Sequence, residues 1–297
     1  MEDSVLTSVI LPLSLFIIML GMGLSLVPDD FRRVVRFPKA FSVGLVNQLI
    51  LLPILGFLLA VGFGLAPTLA VGLMILAACP GGVTSNLIAH VSRGDTALSI
   101  TLTAINSAVT VITIPLIVSG SLAYFLGESQ PVTLPVLKTI AQIVGITVLP
   151  VSIGMLVRNR AEGFATRMEQ TVKIASAVLF VVITLGIIAA NLDLLKEHFV
   201  SLAGVTIALN VLTMAIGFIS SRLFGLTLRE TITVSIESGI QNGTLAIVIA
   251  TSILKMGDLA LPAGIYSLVM FATGGAMMAW FGTGGRVPDE PREMKSA

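Results

Sequence analysis

Cysteine, charge and histidine are all scarce in this chain, and each scarcity removes a class of answers. A single cysteine, Cys79, in 297 residues cannot form an intrachain disulfide. Charged residues make up 11% of the chain against 55% hydrophobic, so no stretch has the composition of a soluble domain. The net charge of +1 points to no strongly charged partner, and no nucleic acid is expected. The two histidines, His90 and His198, fall near the ends of apolar runs, and no paired carboxylates occur inside them. An intramembrane enzyme would lack its acid, base and nucleophile, so no catalytic residue and no enzymatic activity are expected. Residues 1 to 4 contain acids but no base, so the first apolar run has no positive front of the signal-peptide kind and reads as a retained span.

What is abundant is apolar sequence in runs of membrane-crossing length. Nine spans are expected, at 5–27, 38–63, 67–91, 96–126, 131–158, 170–191, 198–224, 229–256 and 258–281. The predicted fold class is therefore an all-α membrane protein in a lipid bilayer, the inner or plasma membrane of the cell. Of the 17 basic residues, only Lys138, Lys196 and Lys255 fall on the side of the even-numbered loops. The positive-inside rule then puts the N-terminus outside and the C-terminus in the cytoplasm, which also requires an odd number of spans. Residues 282–297 read as a short cytoplasmic tail.

A faint internal repeat relates residues 13–31 to residues 181–199, and would match spans two to four with spans seven to nine. Five spans separate the partners, so the halves face opposite ways, the inverted-repeat plan of many secondary transporters. The interrupted spans, three and eight, occupy corresponding places in the two halves, which is where a transporter of this plan keeps its site. Span three carries Cys79-Pro80-Gly81-Gly82-Val83-Thr84-Ser85-Asn86. Pro80 removes a backbone donor and the two glycines lower the cost of leaving the helix, so the helix should break there. Carbonyls of residues 79 to 83 and the side chains of Thr84, Ser85 and Asn86 then become oxygen ligands suited to a hard cation such as sodium.

Span eight carries Glu237-Ser238-Gly239-Ile240-Gln241-Asn242-Gly243. A carboxylate at membrane depth is costly and needs a cation, which makes Glu237 the most informative residue of the chain. Gln241 lies one helical turn on, and Gly239 is expected to free the carbonyls of Ser238 to Ile240. Span four adds Ser99, Thr103, Ser107 and Thr110 along one helical face, of which Ser107 and Thr110 are expected to bond back to their own helix. Gln48, in span two, is a further buried amide. Asn106, Asn191 and Asn210 are expected to join helices rather than to bind ligand.

The paired segments CPGGVTSN and ESGIQNG, about 155 residues apart, resemble the signatures of the bile acid:sodium symporter family, and the resemblance covers nearly the whole chain. It implies two crossed, discontinuous helices in a core domain, 38–126 and 198–281, packed on a panel of spans 5–27, 131–158 and 170–191. That panel would have one helix fewer than in ten-helix members. The resemblance also implies two sodium ions. One would be held by Ser85, Asn86, Ser99, Thr103 and Glu237. The other would be held by Gln48, Glu237 and Gln241 with the carbonyls of Ser238 and Ile240. Relatives often carry Thr where Val83 stands, with this chain's hydroxyl one place later, at Thr84, so substrate contacts there are expected to differ.

Half-helices should begin near Thr84 and Asn242 with their N-termini at the membrane midplane, and such ends attract anions. The expected substrate is thus an organic anion, bile acid-like or a small carboxylate such as pantoate, touching Val83, Thr84 and Asn242, with sodium supplying the positive charge. The expected function is sodium-coupled uptake by alternating access. The alternative is a proton-coupled or uncoupled exporter of the same architecture, with Glu237 as the proton carrier.

Overall fold

The computed structural model describes residues 10–32, 38–127 and 135–283. The first residues of span one, residues 131–134 of span five, the loop arginines Arg33 and Arg36 and the tail from residue 284 lie outside the described residues. Among those described there are helices and no strands. Besides a short helix at Pro28–Arg32, they are in chain order α1 (Leu11–Ser25), α2 (Pro38–Gly62), α3 (Pro67–Ala78), α4 (Val83–Val91), α5 (Thr96–Phe125), α6 (Val136–Arg160), α7 (Glu162–Ala190), α8 (Leu192–Leu223), α9 (Leu228–Gly239), α10 (Gly243–Ile253) and α11 (Gly257–Gly282). Six of them, α2, α5, α6, α7, α8 and α11, are long and apolar enough to cross a membrane. Helices α1, α3 and α10 are shorter apolar helices.

Local chemistry explains where these helices start, bend and stop. Pro53 and Pro150 each follow a wide turn with i→i+5 bonding, at Asn47–Leu51 and Val144–Val148. A proline cannot donate to the carbonyl four residues back, and the preceding turn widens to accommodate it. In α2 that wide turn carries Gln48. Asp95 caps α5 by accepting from the Leu98 amide, and Thr227 with Glu230 forms a capping box on α9. Two of the expected boundaries move. Span six was placed at 170–191 and span seven at 198–224, whereas α7 starts at Glu162 and α8 at Leu192, with a kink at His198. An apolar run reports bilayer depth, while a helix continues into polar sequence as long as the backbone allows.

Helices α1, α6 and α7 pack chiefly on one another. Small residues set the closeness: a Cβ on Gly154 would meet the Gly23 backbone at 2.8 Å, so α1 and α6 cross nearly backbone to backbone. The remaining helices form the larger group, with α8 against α9 and α11, α3 against α5, and α2 against α3. One continuous apolar cluster runs through it and on into α1, α6 and α7, with Leu73, Ile75, Ile236, Ile247 and Leu261 fully buried.

Candidate functional site

The two interruptions lie against each other at the centre of the larger group. Helix α3 ends at Ala78, α4 resumes at Val83, and Cys79 and Gly82 between them are extended. Helix α9 runs through Gly239, and α10 starts at Gly243. Gly81 and Gln241 form an isolated antiparallel bridge, and the Asn242 amide donates to the Pro80 carbonyl at 2.9 Å. Two backbones stripped of helical partners thus partly satisfy each other, as backbone at membrane depth must.

Glu237 is fully buried beside this junction. Ser99 Oγ is 2.5 Å from its Oε1, and Thr103 Oγ1 is 2.9 Å from its Oε2. Both hydroxyls also face Asn86 Oδ1, at 2.8 and 3.1 Å. Ser85 Oγ lies 3.5 Å from Thr103 Oγ1 and donates its own proton to the Gly82 carbonyl at 2.7 Å. Two hydroxyl protons therefore serve four contacts among oxygens, an arrangement rich in acceptors and poor in donors. Gly81 is required here, since a Cβ at that position would sit 2.8 Å from Glu237 Oε2.

The end of α9 is held in an unexpected way. Glu237 and Gln241 do not share a helical face, because Ile240 is extended (φ −101°, ψ 103°) and ends the helix between them. The carbonyls freed at a helix C-terminus are those of its last turn, and here side-chain amides take them. Gln48 Nε2 donates to the Glu237 carbonyl and Gln241 Nε2 to that of Ser238 at 2.8 Å. Asn210 Nδ2 and the Tyr266 hydroxyl both donate to the Gly239 carbonyl, at 2.8 and 2.7 Å. With their nitrogens so engaged, Gln48 Oε1 and Gln241 Oε1 are buried and without a partner. Buried polar atoms of this kind call for an ion or a water.

The structure thus brings Ser85, Asn86, Ser99 and Thr103 around the Glu237 carboxylate, and brings Gln48, Ser238 and Gln241 to the end of α9. Ile240, the extended residue that ends α9, lies at the same place. Ser107 and Thr110 bond back to the carbonyls of Thr103 and Asn106, each at 2.7 Å, and stay out of the cluster. Tyr266 was missed in the sequence reading and Asn210 was read only as joining helices. Their meeting at Gly239 depends on the packing of α8 and α11, which has no local signature.

A cavity of about 470 Å³ opens from the junction. Gly82, Val83, Thr84 and Asn242 lie at its inner end, and α1 and α7 wall it opposite α4, α5 and α11. Both half-helix N-termini therefore meet the cavity. Asn242 caps α10 by accepting from the Leu245 amide at 3.0 Å. Phe180 of α7 and Phe271 of α11, both in its lining, pack edge to face with centroids 5.6 Å apart.

Comparisons with known proteins agree with this geometry. Residues 12–198 match the model of the sodium bile acid symporter family, a range that includes the first interruption and stops short of the second. A sodium-dependent transporter of Bacillus subtilis, YocS, is 29% identical over 89% of this chain and 80% of its own length. A probable chloroplast sodium/metabolite cotransporter of rice, BASS2, is 29% identical over 89% of this chain, which spans 61% of that relative. The human ileal sodium/bile acid cotransporter is 29% identical over 82% of this chain and 69% of its own length. The family and these relatives are transporters rather than enzymes. With most of its length matched and relatives aligned across both interruptions, the chain belongs to the sodium bile acid symporter family.

Proposed function

We propose that this protein couples inward sodium flow to uptake of an organic anion, bile acid-like or a small carboxylate such as pantoate, by alternating access across a nine-span architecture. The observation that carries the reading is the oxygen cage around Glu237, in which acceptors outnumber protons beside a fully buried carboxylate. Hydroxyl, amide and carbonyl oxygens with one carboxylate suit a hard monovalent cation. Ser85, Asn86, Ser99, Thr103 and Glu237 would hold one sodium ion. Gln48, Gln241 and Glu237, with the carbonyls of Ser238 and Ile240, would hold the second, and the unpartnered oxygens of both glutamines support it. In that case Gln241 Nε2 would give up the Ser238 carbonyl it now occupies.

The substrate anion would sit at the inner end of the cavity against the α4 and α10 N-termini, near Val83, Thr84 and Asn242. Sodium would supply the positive charge that no lysine or arginine among the described lining residues provides. Because Glu237 serves both ions, filling one orders groups the other needs, and both ions stiffen the extended segments that meet the substrate. Alternation would come from the group α1, α6 and α7, the panel, moving against the core, and the cavity lies between these two groups. Its other end reaches Ser25, His90 and Thr96, beside the loops that carry Arg32 and Arg93, which the positive-inside rule places in the cytoplasm.

An inverted repeat is supported by matching ends. The second half-helix of each interrupted pair is followed by a non-glycine residue of positive φ, Arg93 at 56° and Lys255 at 58°. Each is followed by an amide that bonds back to a helix carbonyl, Gly94 to Ala89 and Met256 to Ala250.

Proteoliposome flux tests the reading. Uptake of a carboxylate should rise with an imposed sodium gradient, and Glu237→Ala should abolish that rise while the protein stays folded. Uptake driven equally by a proton gradient at fixed sodium would favour proton coupling instead.

A further inference from the structure

Among the described residues that line the cavity, His90 is the one ionisable side chain. It lies on α4 seven residues from Val83, so it is about 10 Å along the helix from the N-terminus where the substrate anion would rest. Between the two levels the wall is mostly apolar, with Ile18, Met19, Leu87, Ile100 and Phe271, and carries the neutral polar side chains of Asn86 and Ser176. No charged side chain among the described residues lines the stretch between them. At the outer end three elements each supply a polar side chain, Ser25 after the last turn of α1, His90 of α4 and Thr96 at the start of α5.

These side chains have a definite arrangement. Ser25 Oγ donates to the Met22 carbonyl at 2.8 Å, and His90 Nδ1 is 3.3 Å from Thr96 Oγ1. When the threonine hydroxyl donates to Nδ1, the ring proton must reside on Nε2. A neutral His90 then still carries a donor, and a protonated one carries two. Asp95 of the neighbouring loop caps α5, and Arg229 Nη2, from the start of α9, reaches the Gly94 carbonyl of that loop at 3.4 Å. None of these charged groups lines the cavity.

We infer that His90, set by Thr96, forms an outer subsite for a second hydrogen-bond acceptor, and that the preferred substrate is an elongated anion with a carboxylate at the helix ends and an acceptor about 10 Å away. The inference rests on the reading of the inner end as an anion site and adds the length and second group of the ligand. A carboxylate is the strongest such acceptor, because its bond to a histidine donor is charge-assisted.

The test uses the full-length purified protein in saturating sodium and a series of linear monocarboxylates and α,ω-dicarboxylates of increasing length. Affinity is read by calorimetry. The diacid should bind about tenfold tighter than the monoacid of equal length only where its ends are about 10 Å apart, the gain expected of one such bond. In His90→Ala that preference should fall to about one, and His90→Gln, which keeps a side-chain donor, should restore part of it. Melting without ligand reads whether each variant folds. A diacid preference absent from the wild type, or undiminished in His90→Ala, overturns the subsite. If no carboxylate binds in a sodium-dependent way, the underlying anion reading fails and takes the subsite with it.

Discussion

Gln48 and Gln241 carry the argument at the residue scale, because each spends its nitrogen on a carbonyl of α9 and leaves its oxygen buried with no partner. An amide held by its nitrogen with its oxygen left bare suits the proposed role as a cation ligand. Gln241→Ala should raise the sodium concentration needed for half-maximal uptake about tenfold, equivalent to ~1.4 kcal/mol of binding. An unchanged sodium curve would remove Gln241 from the site. Gly81→Ala should be worse, since its Cβ would sit 2.8 Å from Glu237 Oε2 and 3.4 Å from Gln48 Nε2 and Ser85 Oγ, displacing the carboxylate from its hydroxyl partners. The expected outcome is loss of the sodium response, with destabilisation of about 1–3 kcal/mol from overpacking. Ser107→Ala is the contrast. Its hydroxyl serves only its own helix, so both melting and the sodium curve should stay close to wild type.

Among the elements, the broken helices were the most legible in the sequence, and the reason is local. Proline and two glycines act on their own backbone, so a break after Ala78 is favoured locally by Pro80-Gly81-Gly82, whereas the lone prolines Pro53 and Pro115 leave their helices continuous. The second break was placed correctly in its neighbourhood, but its inner structure was not, because Gly239 stays helical and Ile240 turns out of the helix. A glycine at the end of a helix permits a change of direction and does not fix its residue. The wide turn that presents Gln48 depends on Pro53 and could have been read from that proline, whereas the Asn210 and Tyr266 clamp on Gly239 depends on three helices meeting. Packing of α1 on α6 gives a prediction at this scale. Gly154→Leu would force a branched side chain between backbones in contact, and the melting temperature in detergent should fall by several degrees. The core is not touched by that change, so the stabilisation that sodium confers on the variant should persist.

For the whole molecule, the positive-inside rule predicts an orientation from the distribution of basic residues, and in the proposed orientation the end of the cavity at His90 and Thr96 would face the cytoplasm. Cys79 is buried, which leaves a convenient background for introduced thiols. With an impermeant thiol reagent on intact cells and on inverted vesicles, Thr96→Cys should label from the cytoplasmic face and Lys196→Cys, a largely exposed side chain, from the outer face. The reverse pattern would invert the topology and the direction of the proposed transport. Nine spans and opposed halves are consistent with that pattern, because the loops before α5 and before α8 then fall on opposite sides.

Direct sodium binding to the purified protein tests the central claim most simply. The wild type should bind sodium with an affinity that Glu237→Gln reduces below detection, even though the amide keeps the size and polarity of the acid. Sodium binding that survives in Glu237→Gln at wild-type strength would show that the oxygen cage between the broken helices is not where the ion is held.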